Sequence, residues 1–223
     1  MRRLAPRVVA SASSESSGDD RMYDLRPHLD ADVSSGTNLL VSGPPLTGKR
    51  SLALDVLASG LAEGEGAVVV TTKDGAERLV SEFEKRGDVD GRPFAVVDTV
   101  TRQQGVGDTH ESDRIRYTSS PVDMTGIGIK LSEVLREFYE ARGLRRNRIA
   151  LHSLSTLLMY SDLQTVFRFL HVFTGRVQSV DGLGLFVIDD SAHDDRTMST
   201  LKQLFDGVVT TSEDAEPTVR LAE

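Results

Sequence analysis

A glycine-rich loop between a predicted strand and a predicted helix constrains the fold of this chain more than any other feature. The apolar run from Asn38 to Ser42 suits a short buried strand, and Ser51 to Leu57 has the pattern of a helix with one apolar face. Between them, Gly43 to Lys49 reads GPPLTGK and fits the spacing G-x-x-x-x-G-K. Strand, loop and helix in this order predict a phosphate-binding loop in an α/β domain. An ordinary turn would leave the lysine unexplained.

The residue types of this loop suit the binding of an anion. Gly43 and Gly48 allow the backbone to bend so that successive N–H groups point at one phosphate group. The N-terminus of the following helix adds partial positive charge, and Lys49 brings a full charge to the β- and γ-phosphates. The predicted nucleotide-binding residues are Gly43, Pro44, Pro45, Leu46, Thr47, Gly48, Lys49, Arg50 and Ser51.

One position of the loop departs from the motif. The motif has serine or threonine after the lysine, because that hydroxyl holds Mg²⁺, but this chain has Arg50. An arginine side chain has no acceptor atom and cannot ligate a cation. Ser51 follows one residue later, about 100° around the helix, and is the candidate replacement ligand. The loop therefore predicts phosphate binding, while the use of Mg²⁺ and metal-dependent hydrolysis stay open.

The rest of the chain alternates between apolar strands and amphipathic helices, which is typical of a mostly parallel sheet covered by helices on both faces. We predict one α/β domain over residues 21–223 and a disordered tail over residues 1–20, which are rich in Ser, Asp and Arg. The other predicted strands are Gly66 to Thr72, Phe94 to Asp98, Arg148 to Leu151 and Gly184 to Ile188, with edge strands at Val208 to Thr211 and Thr218 to Leu221.

The predicted helices alternate with these strands. They are Asp74 to Lys85, a helix around Leu131 to Tyr139 that Gly143 closes, Asp162 to about Arg176, and Asp195 to Phe205. Thr101 to Gly128 is predicted to be a long polar loop, and a loop of this length in a compact domain is usually functional or mobile.

Composition limits the partners and the compartment. The net charge of −8 argues against general binding of nucleic acid, which depends on basic side chains. The chain has 21 Asp, 13 Glu, 21 Arg and 5 Lys, a balance that favours a high-salt cytoplasm; the alternative is an ordinary acidic protein from a GC-rich genome. There is no cysteine and no apolar run of the ~18 residues that a membrane helix needs. We therefore expect a cytoplasmic protein without a membrane partner.

An apolar strand that ends in carboxylates is the candidate catalytic and metal-binding segment. Leu185 to Asp190 reads LFVIDD, and a carboxylate at the end of such a strand is what positioning of Mg²⁺ requires. Asp189 would act on the metal through water, and Asp190 would orient the attacking water as the catalytic residue. Alternatively, both carboxylates cap the following turn.

Three further features leave alternatives open. His152 is either a metal ligand or proton carrier, or a hydrogen-bonded neighbour of the site. The arginines at positions 142, 145, 146 and 148 form a patch that suits nucleic acid or a neighbouring subunit's nucleotide, or else a solvated loop with salt bridges. The broad apolar face from Phe167 to Phe173 is either core or a surface for a homo-oligomer or signalling protein partner.

The chain resembles the RecA/KaiC-like ATPases, and more closely the haloarchaeal HTR-like or RecA-superfamily signal-transduction ATPases. The resemblance extends from Tyr23 to Leu221. It rests on the segments GPPLTGKRSLALDVL, GAVVVTTKD, TGIGIKLSE, RNRIALHSLSTLLMYSDLQTVFRFLHVFTGR and GLGLFVIDD. It implies a RecA-like P-loop NTPase fold with ATP bound at residues 43–51, often at a subunit boundary in a ring.

The resemblance also exposes two substitutions beside the loop. These ATPases usually carry an acidic pair after the second strand, where this chain has Thr71, Thr72 and Lys73. Their metal-side aspartate corresponds to His152, which Ser153 follows. Thr72, Lys73, His152 and Ser153 are therefore near-site candidates. The leading hypothesis is an ATP-binding signalling or regulatory switch with little or no hydrolysis. The alternatives are an active Mg-dependent ATPase that uses Ser51 and Asp189, and a non-catalytic oligomeric scaffold.

Overall fold

A computed structural model describes residues 22–105 and 109–222. The predicted tail, residues 1–20, lies outside the described residues. In the described part of the chain the strands are β1 (Met22–Asp24), β2 (Asp32–Ser34), β3 (Asn38–Gly43), β4 (Gly66–Thr71), β5 (Phe94–Asp98), β6 (Ile115–Tyr117), β7 (Asn147–His152), β8 (Leu183–Asp189), β9 (Gly207–Thr210) and β10 (Thr218–Leu221). The helices are α1 (Lys49–Ala62), α2 (Ala76–Glu84), α3 (Thr101–Gln104), α4 (Met124–Arg142), α5 (Leu154–Tyr160), α6 (Leu163–Ser179) and α7 (Asp195–Lys202), with a short 3₁₀ helix at Asp190–Ala192.

Eight strands form one twisted sheet in the order β10-β9-β3-β8-β7-β4-β5-β6. All neighbours are parallel except β9 and β10, while β1 and β2 form a separate antiparallel hairpin. The register pairs Gly43 with Asp189 and Thr71 with His152. The carboxyl ends of β3, β8, β7 and β4 therefore meet at one edge, where ligands of open α/β sheets bind.

Helices cover both faces of the sheet, so the central strands are buried on both sides, whereas β10 is largely exposed. In β3, Leu39 and Val41 pack against α1, α2 and the β1–β2 hairpin, whereas Leu40 packs on the opposite face against α4 to α7. The alternation follows from the two-residue period of a strand. Because residues on both faces are buried, the parallel strands are continuous apolar runs in the sequence. The predicted fold class, a mostly parallel α/β sheet with helices on both faces, is confirmed.

Several boundaries differ from the prediction. Helix α1 begins at Lys49 and continues to Ala62, beyond the predicted Ser51 to Leu57. The predicted polar loop Thr101 to Gly128 contains α3, β6 and the start of α4. Helix α4 begins early because the carboxylate of Asp123 accepts a hydrogen bond of 2.8 Å from the N–H of Gly126.

Strand β9 corrects the prediction of an edge strand at Val208 to Thr211. It lies between β3 and β10, so only β10 occupies that edge. Sequence alone does not show whether β9 is an edge strand. The pattern of a short strand that pairs with β10 is the same whether or not a third strand pairs with its other side.

The arginine patch is not one surface. Arg148 is fully buried, and its Nε donates to Glu65 Oε2 at 2.5 Å. Arg146 donates to Glu65 Oε1 at 2.8 Å, while Arg142 donates to the carbonyl of Gly91. The buried ion pair rules out the interpretation of all four arginines as a solvated loop.

Among the helices of residues 22–105 and 109–222, none combines the length and the hydropathy that a membrane span requires.

Candidate nucleotide-binding site

The loop from Gly43 to Lys49 connects β3 directly to α1 at the carboxyl edge of the sheet. Gly48 precedes the helix with a φ of 77°, in the left-handed region that favours glycine, and contributes no side-chain cap. The first N–H groups of α1 are therefore free of a capping side chain, which is the arrangement that receives anions. Pro44 and Pro45 have no N–H, so the donors of the loop lie after them.

Gly43 is required by the close approach of Thr211, which directly follows β9. A Cβ at this position would lie 2.2 Å from Thr211 Oγ1 and 2.5 Å from the Thr211 carbonyl oxygen. On the other side of the loop, Thr47 Oγ1 lies 2.6 Å from Thr211 Oγ1 and donates to the carbonyl of Pro44 at 2.9 Å. These contacts attach the loop to the chain beyond β9 and hold its shape.

Lys49 is the buried cation of the loop. Its side chain is largely enclosed, and the residue is only 9% exposed. The Nζ atom donates to the carbonyl of Pro44. Burial lowers the pKa of Lys49, while the nearby carboxylates of Asp189 and Asp190 oppose that shift. A buried ammonium next to a bent loop is the arrangement expected of a phosphate-binding lysine.

Arg50 points into the same region and is held by two carboxylates. Glu82 lies on α2, and Asp74 precedes that helix. Its Nη1 donates to Glu82 Oε2 at 2.5 Å, and its Nε lies 3.3 Å from Asp74 Oδ2. Although burial alone raises the pKa of Glu82, the hydrogen bond and charge of Arg50 and those of Arg78 outweigh it and lower that pKa. Arg50 is therefore a fixed cation rather than a freely moving side chain.

Ser51 lies away from this region. It is exposed on α1, where its Oγ donates to Asp55 Oδ2 at 3.3 Å and accepts from Arg86 Nη2 at 2.9 Å. The rotation of about 100° that separates neighbouring helical residues explains this placement. The predicted role of Ser51 as a metal ligand has no support from the position of its hydroxyl.

His152 ends β7 and is largely buried. Burial lowers its pKa to about 3, and the positive charges of Arg50, Lys73 and Lys49 contribute in the same direction. The imidazole is therefore neutral at physiological pH. Behind it, Thr72 Oγ1 donates to the carbonyl of Ser153 at 2.8 Å and accepts from the N–H of Ser153 at 2.7 Å. The reciprocal bonds join the ends of β4 and β7.

The two carboxylates at the end of β8 have different surroundings. Asp189 is half-buried, and its Oδ1 accepts from Ser191 Oγ at 2.9 Å. Asp190 accepts from Ser42 Oγ on β3 at 3.0 Å through Oδ2. Asp189 is the N-cap residue of the 3₁₀ helix, but its side chain makes no capping hydrogen bond there. Asp190 is the first residue within that helix.

These groups surround a cleft of about 450 Å³ at the carboxyl edge of the sheet. Its lining residues are Pro45, Leu46, Gly48, Lys49, Arg50, Lys73, Asp74, Arg78, His152, Ser153, Val187 and Asp189. Ser51, Thr72 and Asp190 are not among them, and Thr72 instead lines a second cleft of about 390 Å³ that shares Lys73, Ser153 and Asp189 with the first. Four cationic side chains and two carboxylates line the first cleft, which suits an anionic ligand.

The described side chains do not form a conventional metal centre. Among residues 22–105 and 109–222, no group of three or more His, Cys, Asp or Glu residues is arranged to hold a metal ion. Mg²⁺ requires oxygen ligands in near-octahedral geometry, and Asp189 is the sole carboxylate of the predicted metal site in the first cleft. The structure does not bring the predicted pair together, because Asp189 lines the cleft and Ser51 does not.

Sequence reasoning missed the acidic and basic side chains at and before α2. Asp74 precedes this helix and lines the cleft together with Arg78, while Glu82 lies farther along the helix. The intervals of four residues allow neighbouring side chains of opposite charge to meet. Arg78 forms ion pairs of 3.2 Å with Asp74 and 3.3 Å with Glu82. The spacing was visible in the sequence, but its contact with Arg50 depends on how α2 packs beside α1.

Comparison with known proteins identifies a family and several relatives. The family model described as a family of unknown function (DUF7504) matches residues 36–211. A UPF0273 protein of Aeropyrum pernix is 32% identical over 131 residues, which are 54% of this chain and 47% of that protein. A UPF0273 protein of Saccharolobus solfataricus is 31% identical over 127 residues, 54% of this chain and 42% of that protein. The chain spans about half the length of the curated relatives it matches.

Two solved structures share the fold. An uncharacterized protein of Pyrococcus horikoshii, solved in complex with an unknown peptide, superposes with a TM-score of 0.61 at 11% identity and covers 86% of this chain and 94% of its own. A KaiC-like protein of Pyrococcus horikoshii superposes with a TM-score of 0.56 at 14% identity and covers 93% of this chain and 84% of its own. The predicted RecA/KaiC-like fold is thereby confirmed. Placement in the haloarchaeal HTR-like group stays a prediction.

Proposed function

The chain belongs to the DUF7504 family of unknown function, and we propose that it is an ATP-binding protein of RecA-like fold whose nucleotide occupancy acts as a switch. The observation that carries this proposal is the enclosed Lys49 behind a bent glycine loop, in a cleft whose lining holds four cationic side chains and two carboxylates. The triphosphate would lie along the loop of residues 43–51, with its charge matched by Lys49, Arg50 and Lys73.

Hydrolysis plays little or no part in this function. The acidic pair that would activate water is replaced by Thr72 and Lys73, and the metal-side aspartate by His152. A neutral imidazole does not replace a carboxylate in either role, because it supplies no negative charge to orient water or to balance Mg²⁺. Bound nucleotide would therefore persist, and occupancy rather than turnover would carry the signal.

A protein partner or a second copy of the chain would receive the signal. The Pyrococcus horikoshii structure with an unknown peptide lends support, since a protein of this fold there holds a polypeptide. Val172 on α6 is 59% exposed and Phe169 is only partly buried, so this helix offers apolar surface for such contact. In the same proposal, the protein acts in signalling in a high-salt cytoplasm. Residues 21–223 form its one domain.

The test is the affinity for fluorescently labelled ATP of the wild-type chain and of Lys49→Ala. We expect saturable binding by the wild type and a loss of affinity of at least about tenfold in the variant, because a charge-assisted contact to phosphate disappears. Lys202→Ala, at an exposed lysine in α7 outside the cleft, is the matched control and should bind like the wild type. Equal affinity of Lys49→Ala and the wild type would refute the proposal.

One observation favours a second candidate, an active ATPase. Asp189 and Asp190 lie close enough to Lys49 to oppose the shift in its pKa, so a carboxylate is available near the phosphate site. Phosphate release from ATP separates the two candidates. The switch proposal expects no turnover, whereas turnover that disappears in Asp189→Asn and Asp190→Asn would establish the ATPase.

A further inference from the structure

The cleft lacks the oxygen ligands with which RecA-like ATPases hold Mg²⁺. The hydroxyl that should follow the lysine is replaced by Arg50, and the next hydroxyl, Ser51 Oγ, is engaged with Asp55 and Arg86 outside the cleft. The end of β7 presents His152 instead of a carboxylate. Of the two carboxylates that line the cleft, Asp74 is paired with Arg50 and Arg78. Asp189 alone is a poor site for a strongly hydrated divalent cation. The residues present do not fit the metal.

Arg50 occupies the cleft in a fixed orientation. Its ion pairs with Glu82 at 2.5 Å and Asp74 at 3.3 Å hold one side of the guanidinium. The Nη2 atom is enclosed, and among the described residues it has no hydrogen-bond partner. A buried donor without an acceptor is costly, so a small shift of the Arg50 side chain that brings this nitrogen to a ligand oxygen would remove the cost.

Three cationic side chains from two parts of the chain line this cleft: Lys49 and Arg50 on α1, and Lys73 after β4. All three lower the pKa of the neighbouring His152 ring, as positive neighbours should. His152 itself adds no charge, because burial keeps it neutral. The positive charge that a metal would bring to a triphosphate is thus already built into the protein.

We propose that this cleft binds a nucleoside triphosphate without a divalent cation, with the Arg50 guanidinium in the place and role of Mg²⁺. This inference rests on the proposed nucleotide-binding function and specifies its ligand as the metal-free triphosphate. A guanidinium suits this role because it stays charged, and the Nη2 atom of Arg50 still carries N–H donors that phosphate oxygens can accept. A metal-free triphosphate carries more negative charge than its Mg²⁺ complex, so Mg²⁺ would weaken binding or leave it unchanged.

The experiment is a calorimetric titration of ATP into the full chain, once with excess Mg²⁺ and once with EDTA. We expect the Kd in EDTA to be equal to or lower than the Kd in Mg²⁺. Arg50→Gln should weaken binding in EDTA by about tenfold, whereas Arg50→Lys, which keeps the charge but loses the planar guanidinium donors, should weaken it less than Arg50→Gln does. Circular dichroism and thermal melting check that each variant is folded.

Arg114→Gln is the matched control. The Arg114 side chain is 28% exposed, close to the 25% of Arg50, and it pairs with Asp90 at 3.0 Å at the opposite edge of the sheet. Its affinity in EDTA should equal that of the wild type.

The possible outcomes separate this inference from the proposed function. Binding that is more than about tenfold weaker in EDTA than in Mg²⁺ overturns the inference and leaves nucleotide binding intact. Unchanged affinity of folded Arg50→Gln in EDTA also overturns it. Failure of the wild type to bind ATP under both conditions overturns the inference and the proposed function together.

Discussion

At the scale of single residues, the chemistry of the cleft is decided by substitutions that exchange charge. Arg50 introduces a cation where a hydroxyl is expected, and His152 removes an anion. Each change makes the other tolerable: the arginine needs no metal, and without a metal the carboxylate is not required. The carboxylates of Asp74 and Glu82 then fix the arginine in place. In our proposal, the two residues together make the cleft a site for an anion without a metal.

The buried His152 makes the stability of the protein depend on pH. Its pKa is about 3 in the folded state and about 6.5 in the unfolded chain. Below pH 6.5 the unfolded state therefore binds more protons than the folded state. The contribution of neutral His152 to the free energy of unfolding is fully present above about pH 6.5. It is lost as the pH falls towards about 3, by at most about 1.4 kcal/mol per pH unit.

We expect His152→Gln to flatten this dependence, because the variant has no group to protonate on unfolding. Urea unfolding of the wild type and the variant at several pH values below neutrality measures the slopes. His171→Gln, at an exposed histidine of α6, should leave the slope of the wild type unchanged. Parallel pH profiles for the wild type and His152→Gln would contradict the prediction.

At the scale of elements, glycine in a helix has opposite effects in α1 and α6. Gly60 lies in α1 against the buried Arg148, where an added Cβ would come within 2.3 Å of Arg148 Nε and 2.6 Å of Glu65 Oε2. Gly175 lies in α6, and a Cβ added there would have no neighbouring atom within 4 Å among the described residues. Helix α1 can approach the ion pair because it has no side chain at Gly60.

The two glycines therefore form a matched pair for mutation. Gly60→Ala should destabilise the protein by about 1–3 kcal/mol, because the Arg148–Glu65 pair must shift. Gly175→Ala should stabilise it by about 0.5–1 kcal/mol, since alanine loses less backbone freedom in a helix. Thermal or urea unfolding of both variants decides the signs. A stabilising Gly60→Ala would show that α1 does not approach β7 as closely as described.

In the molecule as a whole, the carboxyl ends and the amino ends of the strands form two edges of the sheet with different structural roles. The carboxyl edge holds the cleft, and the opposite edge is closed by a network around Glu65, which accepts from Arg146 at 2.8 Å and Arg148 at 2.5 Å. Tyr23 joins the β1–β2 hairpin to this network, since its hydroxyl donates to the Asp181 carbonyl at 2.9 Å. Burial raises the pKa of Tyr23 to about 12, so it stays a neutral donor.

Removal of the central charge of this network should affect stability without affecting the cleft. Glu65→Gln leaves Arg148 buried without a full countercharge, and we expect a loss of about 3–5 kcal/mol. The affinity for ATP, measured well below the melting temperature, should not change because the network lies at the other edge. Glu63→Gln is the control, since Glu63 is 62% exposed and 3.6 Å from Arg148, and it should cost well under about 1 kcal/mol. An equal loss in both variants would contradict this account.

The fold and the loop were predictable because their signals are local. A buried parallel strand is an apolar run, an amphipathic helix repeats its apolar positions, and the phosphate loop occupies adjacent residues from Gly43 to Lys49. The segment from Thr101 to Gly128 was misinterpreted because β6 is only three residues long. Such a strand is stable through its pairing with β5 rather than through its own pattern.

The RecA-like architecture was therefore predictable from the sequence alone. So were the glycine loop that we propose binds phosphate, and the presence of Arg50 and His152 where the resemblance implies a hydroxyl and a carboxylate. Only the tertiary structure decided that Glu82, 32 residues away, holds Arg50 in the cleft, that Ser51 faces outward, and that Arg148 is buried with Glu65. Each of these facts is a contact between distant segments. Propensity and periodicity act over a few residues along the chain, whereas charge pairing and burial depend on which elements the packed sheet brings together.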